Sequence, residues 1–262
     1  MAGSNLPSPA RAVIITGASE GIGKALALDF AGRGYKLGLL ARRANLLEVV
    51  KTSCLAKGAP EVFVSATDVC DEGKFEDALT TLDDQLGGSL IFIANAGVTG
   101  QSSLKADAWQ QSKKTLGVNM MAAIHGLEFM KLKYLARGTG ILVGVSSIAG
   151  ARGLPQTGAY SSSKAALTTH LETLRIDLKP LGISVVTIAP GFIETLMTEA
   201  NKDDMPFIGT PEKSAKVFVN AILKKKAWVA YPVPFRFLYP IMVMVPRCIF
   251  DPIARKLYSD IK

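Results

Sequence analysis

The chain has 262 residues, 48% hydrophobic and 20% charged, with 24 glycines, a balance that excludes disordered and fibrous classes and suffices for one large domain. Its net charge of +8 is concentrated at the end: residues 224–262 hold eight Lys/Arg against two Asp, a net of +6, leaving +2 for residues 1–223. A basic tail does not mark the whole chain as a nucleic-acid binder, and no such partner is expected. In chain order, six short apolar runs predict strands: "AVIITG" (12–17), "KLGLLAR" (36–42), "EVFVSATD" (61–68), "LIFIANAG" (90–97), "GILVGVSS" (140–147) and "ISVVTIAPG" (183–191). Between them, amphipathic patterns predict helices near 22–33, 43–57, 72–86, 104–136 and 157–179. Strands apolar on both faces suit a parallel sheet covered by helices. The strand–helix alternation predicts a doubly wound α/β fold with right-handed crossovers. No linker precedes residue 200, so residues 1–223 read as one domain and residues 224–262 as a basic, apolar extension.

The stretch after the first strand, "TGASEGIG" (16–23), opens the first helix. Gly17 permits a tight turn, and Gly21 and Gly23 let backbone approach a pyrophosphate at the helix start. Gly17, Ser19, Glu20, Gly21, Ile22 and Gly23 are therefore candidate cofactor-binding residues. The spacing is G-x-x-x-G-x-G, and a plain βα turn is its simpler reading. The second strand ends in Ala41-Arg42-Arg43, where a site for NAD places an acid against the ribose 2′-hydroxyl. Arg42 and Arg43 instead suit a 2′-phosphate, and cations are disfavoured at a helix N-terminus without an anion. NADP(H) is favoured over NAD(H). Asp68 and Val69 follow the third strand and are placed at the adenine edge.

Asn95, Ala96 and Gly97 close the fourth strand and Ser147 closes the fifth, at the carboxyl ends where ligands bind in such sheets. Tyr160 stands four residues before Lys164, one helical turn away on one face. The pairing has a chemical use. Reducing a ketone needs a proton on oxygen, and a free phenol with a pKa near ~10 exchanges it slowly at neutral pH. A neighbouring ammonium, together with the positive charge of a nicotinamide, is expected to lower that pKa. Ser147 would stabilise charge developing on the same oxygen. Ser146 is the alternative serine, but the thirteen-residue separation from Tyr160 favours Ser147. Ser161, Ser162 and Ser163 are assigned no chemistry.

Taken together, Thr16–Gly23, Asn95–Gly97, Asn119, Ser147, Tyr160, Lys164 and Pro190–Gly191 with Thr195 resemble the short-chain dehydrogenase/reductase family over roughly residues 10 to 200. The resemblance implies a three-layer α/β/α Rossmann-like parallel sheet of about seven strands. It also implies nicotinamide-dependent redox chemistry at a carbonyl or secondary alcohol. In the family's pattern Lys164 also holds the nicotinamide ribose, and Asn119 holds a water relay behind the lysine. Pro190 and Gly191 present backbone to the nicotinamide amide, with Ile193 and Thr195 beside it. Paired helices near 104–136 and 157–179 would give a homodimer or homotetramer. A non-catalytic NADP(H)-binding or scaffold protein of the same fold is the alternative function.

In the family's pattern the segment from Gly191 to Met205 covers the substrate as a lid, and its Phe192, Ile193, Leu196 and Met197 suggest an apolar substrate or simple lid packing. His125 and His170 lie in helical patterns with no paired acid in view and read as structural, and no residues stand at metal-ligand spacing. Three widely spaced cysteines (Cys54, Cys70, Cys248) suggest a reducing compartment. No secretory signal is read at the N-terminus, so a cytoplasmic location is expected. In the tail, "AWVAYP" (227–232) is expected to complete the sheet edge. The aromatic stretch after it is interrupted by Pro232, Pro234, Pro240 and Pro246. It is too short to span a bilayer, and residues 228–250 are expected to contact another subunit, their own domain or a membrane surface.

Overall fold

The structure is a computed structural model that describes residues 11–99, 107–196, 198 and 205–259. Its centre is a seven-stranded parallel sheet in the order β3-β2-β1-β4-β5-β6-β7. The strands are β1 (Ala12–Thr16), β2 (Lys36–Ala41), β3 (Val62–Ala66), β4 (Ile91–Ala94), β5 (Gly140–Val145), β6 (Ile183–Pro190) and β7 (Trp228–Tyr231). The helices are α1 (Gly21–Ala31), α2 (Ala44–Ala56), α3 (Glu72–Gln85), α4 (Ala108–Leu116), α5 (Ala123–Arg137), α6 (Gly158–Leu178), α7 (Pro211–Leu223), α8 (Pro234–Met244) and α9 (Arg247–Ser259). Each strand predicted from the sequence is present with slightly tighter bounds, and the tail supplies β7 beside β6, as expected.

Burial on both sides explains the apolar strands. Along β1, Val13 and Ile15 pack with α1, α2 and α7 through Leu26, Phe30, Leu47 and Phe218. Ala12 and Ile14 turn to the other face, where Phe75 of α3, Leu127 and Met130 of α5 and Leu171 of α6 cover them. That alternation is the two-residue period of a strand, and the layers match the expected three-layer α/β/α arrangement. The order reverses between β1 and β4, so the chain leaves opposite faces there and opens a crevice at the strands' carboxyl ends.

Three features differ from the sequence reading. The pattern near 104–136 is not one α-helix: a π-helical segment, Gly117–Ala122, separates α4 from α5 and contains the fully buried Asn119; residues 104–106 lie outside those described. Helix α7 was not read from the sequence, although Thr210 caps it and Pro211 occupies its first turn. The prolines of the tail do not prevent helices. Pro234 starts α8, where its missing N–H costs nothing. Val245, extended as a residue before proline must be, ends α8 so that α9 begins after Pro246.

The opposite end of the sheet is held by a buried charge. Asp83 of α3 is fully buried and accepts from Ser89 N (2.8 Å), Ser89 Oγ (2.7 Å) and both terminal nitrogens of Arg137. Burial pushes this carboxyl up, but the bonds from Arg137 and Ser89 outweigh it and hold it below its ordinary value. The histidines have partners that the sequence did not show. His125 faces Glu76 at 2.7 Å and His170 faces Glu128 at 3.2 Å, each pair joining two neighbouring helices.

Candidate active site

The cleft at the carboxyl ends of the strands, about 280 Å³ in volume, is lined by all nineteen residues expected from the sequence to bind a cofactor, from Gly17 to Thr195. Gly17 has φ of 66°, a conformation glycine takes without strain. A Cβ on Gly23 would stand 2.3 Å from the Gly17 carbonyl oxygen, so the turn closes only on a glycine there. Struts behind the turn fix it. Thr16 Oγ1 accepts from the N–H of Asn95 (3.0 Å) and of Ala96 (3.1 Å), and Asn95 Nδ2 donates to the carbonyls of Thr16 (2.9 Å) and Gly17 (3.2 Å). The side-chain amide of Asn95 is thus spent on holding the turn. Thr198 does the same on the far wall: its Oγ1 donates to Ile193 O (2.7 Å) and accepts from Thr195 N (3.0 Å). Nothing in its spacing singled Thr198 out in the sequence.

At one end of the cleft, Arg43 Nη2 lies 2.7 Å from Glu20 Oε2 and donates to Ser19 Oγ at 3.2 Å. Arg42 Nη1 lies 3.8 Å from Asp68 Oδ2. Both arginines are more than half exposed, so these pairs are weakly held and exchange readily for another anion.

At the other end stand Ser147, Tyr160 and Lys164. Ser147 caps a short 3₁₀ turn, Ile148–Gly150, by accepting from Ala149 N at 3.1 Å. Its Oγ also donates to Pro190 O, at 3.4 Å. Ser146 is different: its Oγ donates to Lys164 O (2.8 Å) and bonds Thr168 Oγ1 (2.7 Å) inside the core. That geometry agrees with the choice of Ser147 as the serine that faces a ligand. The buried Lys164 donates from Nζ to Val145 O at 2.8 Å, and its Nζ lies 5.9 Å from the centre of the Tyr160 ring.

Asn119 does not line the cleft. Its Oδ1 accepts from Val98 N (2.8 Å), and its Nδ2 donates to Val98 O (2.9 Å) and Ser163 Oγ (3.3 Å). It ties the exit of β4 to the residue beside Lys164. A Cβ on Gly97 would meet Asn119 Oδ1 at 3.4 Å and Lys164 Nζ at 3.7 Å, so the two side chains flank one small space. Of the lid residues, Phe192 packs edge-on against Phe235 of α8 (ring centres 5.5 Å apart) and Leu196 lines the cleft. Met197 lies outside the described residues.

The electrostatics reverse one expectation. Lys164 was expected to hold the Tyr160 phenol below its ordinary value. With protein groups alone, burial raises Tyr160, opposed by its bond with Ser147. Burial also pushes the amine of Lys164 down to about 8. Lys164 is still largely protonated at neutral pH, but in the protein alone its charge does not outweigh the burial of the phenol. The linkage is testable. In the unfolded chain Lys164 keeps its proton to its ordinary 10.5, so the unfolded state binds more protons between pH 8 and 10.5 and stability rises with pH there. Lys164→Met removes that term. The variant is expected to unfold about 2–3 kcal/mol less readily than wild type at pH 7, with the gap closing as pH passes from 8 to 10.5. Urea titrations across that range check it.

The residues present fit a nicotinamide dinucleotide. Helix α1 starts at Gly21, and Glu20 before it gives no side-chain cap, so main-chain N–H groups face the cleft as a phosphate needs. Two arginines stand at one end and a buried amine at the other.

This arrangement is that of a nicotinamide-dependent oxidoreductase, and the chain belongs to the short-chain dehydrogenase/reductase family: the short chain dehydrogenase profile matches residues 11–206. It is an oxidoreductase of that family. Among its relatives is an uncharacterized oxidoreductase of Myxococcus xanthus, 34% identical over 94% of this chain and 97% of that one. Another is 11-beta-hydroxysteroid dehydrogenase-like 4A of Arabidopsis thaliana, 32% identical over 92% of this chain and 83% of its own. The alcohol dehydrogenase of Thermococcus sibiricus, solved with 5-hydroxy-NADP, superimposes with a TM-score of 0.75 at 25% identity, over 84% of this chain and 94% of that one.

Proposed function

We propose that this chain is an NADPH-dependent carbonyl reductase, or the reverse dehydrogenase, acting on an apolar ketone or secondary alcohol. The observation that carries the reading is one cleft joining Arg42 and Arg43 at one end to Ser147, Tyr160 and Lys164 at the other. The 5-hydroxy-NADP of the Thermococcus sibiricus enzyme and the name of the Arabidopsis thaliana relative agree with an NADP cofactor and a lipid-like substrate.

Bound in this cleft, the nicotinamide supplies the hydride to the carbonyl carbon and takes it back in the reverse direction. Tyr160 gives its phenolic proton to the carbonyl oxygen during reduction. Ser147, whose bond to Pro190 O is long, turns its hydrogen to the same oxygen and stabilises the charge that develops there. Lys164 spends one N–H on Val145 O, which leaves the others for the ribose hydroxyls and for the phenol. Asn119 is a positioning residue that holds the Gly97–Val98 turn beside the lysine and borders the water relay that returns the proton. Exposed Trp109, Met121, Leu132 and Ile176 on α4, the π segment, α5 and α6 supply the apolar surface for a homodimer or homotetramer; light scattering tests that assembly. The three unpaired cysteines agree with a cytoplasmic setting.

The test is a panel of apolar ketones with NADPH and with NADH. Wild type is expected to turn over with NADPH. Arg42→Ala/Arg43→Ala is expected to raise the KM for NADPH by about 10- to 150-fold, the effect of losing hydrogen bonds to a charged group, and to leave NADH kinetics unchanged. Equal effects on the two cofactors would remove the 2′-phosphate assignment. No turnover on any ketone or alcohol would remove the substrate class.

A further inference from the structure

We propose that α8 and α9 form a docking face for an anionic lipid bilayer, beside the mouth of the active-site cleft.

Helix α8 is apolar apart from the exposed Arg236. Phe235, Tyr239 and Met242 turn inward. Val233 leads into a second stripe, Phe237, Ile241 and Met244, which faces outward with exposures of 64%, 55% and 80% for the last three. Ile249 and Ile253 extend the exposed stripe one turn apart on α9. A contiguous exposed apolar patch of this kind marks a surface that meets a partner or lipid. At 11 residues α8 is too short to cross a bilayer, and no helix among the described residues is long and apolar enough to do so. A helix of this kind lies in the interface.

The face is rigid. Phe235 packs on Gly191, where an added Cβ would stand 2.3 Å from the ring, and Tyr239 stacks on Trp228 with centres 5.1 Å apart. Arg152, in the loop between Ser147 and Tyr160, caps the end of α8. Its Nε donates to Met242 O at 2.8 Å, its Nη2 donates to Val245 O, and its guanidinium lies 5.2 Å from the Phe250 ring of α9. A stripe held this firmly cannot fold back to bury itself.

Charge selects the occupant. Residues 224–259 carry Lys224, Lys225, Lys226, Arg236, Arg247, Arg255 and Lys256 against the single acid Asp251. None of Arg236, Arg247 and Arg255 is ion-paired among the described residues. A second copy docked on this face would set like charge against like, whereas anionic headgroups complement it. The cleft is near at hand, because Phe235 packs on Gly191, which lines it together with the exposed Leu196. An apolar substrate dissolved in the bilayer would meet its mouth without crossing water. The proposal goes beyond the catalytic reading, and its test needs no turnover.

Full-length protein is floated with vesicles of phosphatidylcholine alone and of phosphatidylcholine with phosphatidylserine. Binding to the anionic vesicles, weakened by salt, is expected. Phe237→Ser/Ile241→Ser/Met244→Ser alters only exposed side chains and should abolish binding with the NADPH Kd unchanged. Arg247→Ser/Arg255→Ser should lower the partition coefficient about fivefold per charge. Wild type that stays with the unbound fraction, or a serine variant that floats like wild type, overturns the proposal. So does light scattering that shows self-association abolished by the serine variant without any vesicle binding, because the occupant is then a second copy.

Discussion

Tyr160→Phe is expected to lower kcat by about a hundred- to ten-thousandfold while the Kd for NADPH changes by no more than a few-fold. The phenyl ring keeps its packing in the cleft, and only the proton donor is lost, an interaction made at the reacting oxygen. The pH profile is the sharper readout. Burial holds the phenol above its ordinary value in the protein alone, and Lys164 titrates near about 8. Oxidation of an alcohol needs the phenol to accept a proton, so its rate should rise with pH; reduction needs the protonated form and should fall. The two groups titrate as a pair, so the apparent constants belong to both. A phenylalanine variant that keeps wild-type turnover on any active substrate would end the assignment.

The second large effect lies far from the chemistry. Asp83→Ala is expected to cost about 3–5 kcal/mol of stability, because Arg137 and Ser89 N–H are left without their buried acceptor. For a chain of this size that lowers Tm by about 10 °C. Asp83→Leu/Arg137→Met should recover part of the loss, since both charges then leave the interior. The pH dependence follows from the lowered folded-state pKa. The carboxylate contributes fully above its ordinary 3.8 and loses its contribution as pH falls through the lower folded value. Wild type and Asp83→Ala should converge in strong acid. Thermal unfolding of both proteins between pH 7 and pH 3 checks the trend.

The fold was legible because strands such as "AVIIT" are buried on both faces and contain no residue that suits anything else. The cleft was legible for a related reason. Ligand contact in this fold falls where strands end, and Gly17, Asn95, Ser147 and Pro190 each stand within a few residues of such an end. What escaped is what spacing does not encode. Asp83 and Arg137 are 54 residues apart, and their meeting depends on how α3 and α5 cross. Thr198 looked like any polar lid residue until its hydroxyl was seen closing the turn at Thr195. Helix α8 was hidden by prolines that weigh against a helix by propensity, although the first turn tolerates Pro234. The direction of the Tyr160 shift in the protein alone was not legible, because sequence shows that a lysine is near but not that burial lowers its amine and raises the phenol.

Strand β7 has a consequence for how the protein is made. Gly191 donates to Tyr231 O at 2.9 Å, and Pro190 pairs with Tyr231 across the sheet edge. The cleft wall at Pro190 and Gly191 is therefore braced by a strand made well after the glycine turn, Ser147 and Tyr160. A nascent chain halted after α7 has its glycine turn, its serine and its tyrosine, but an edge strand stands open and the bracing of Gly191 is missing. Until β7 has been made, the edge of β6 stands open and is the surface that needs shielding during translation.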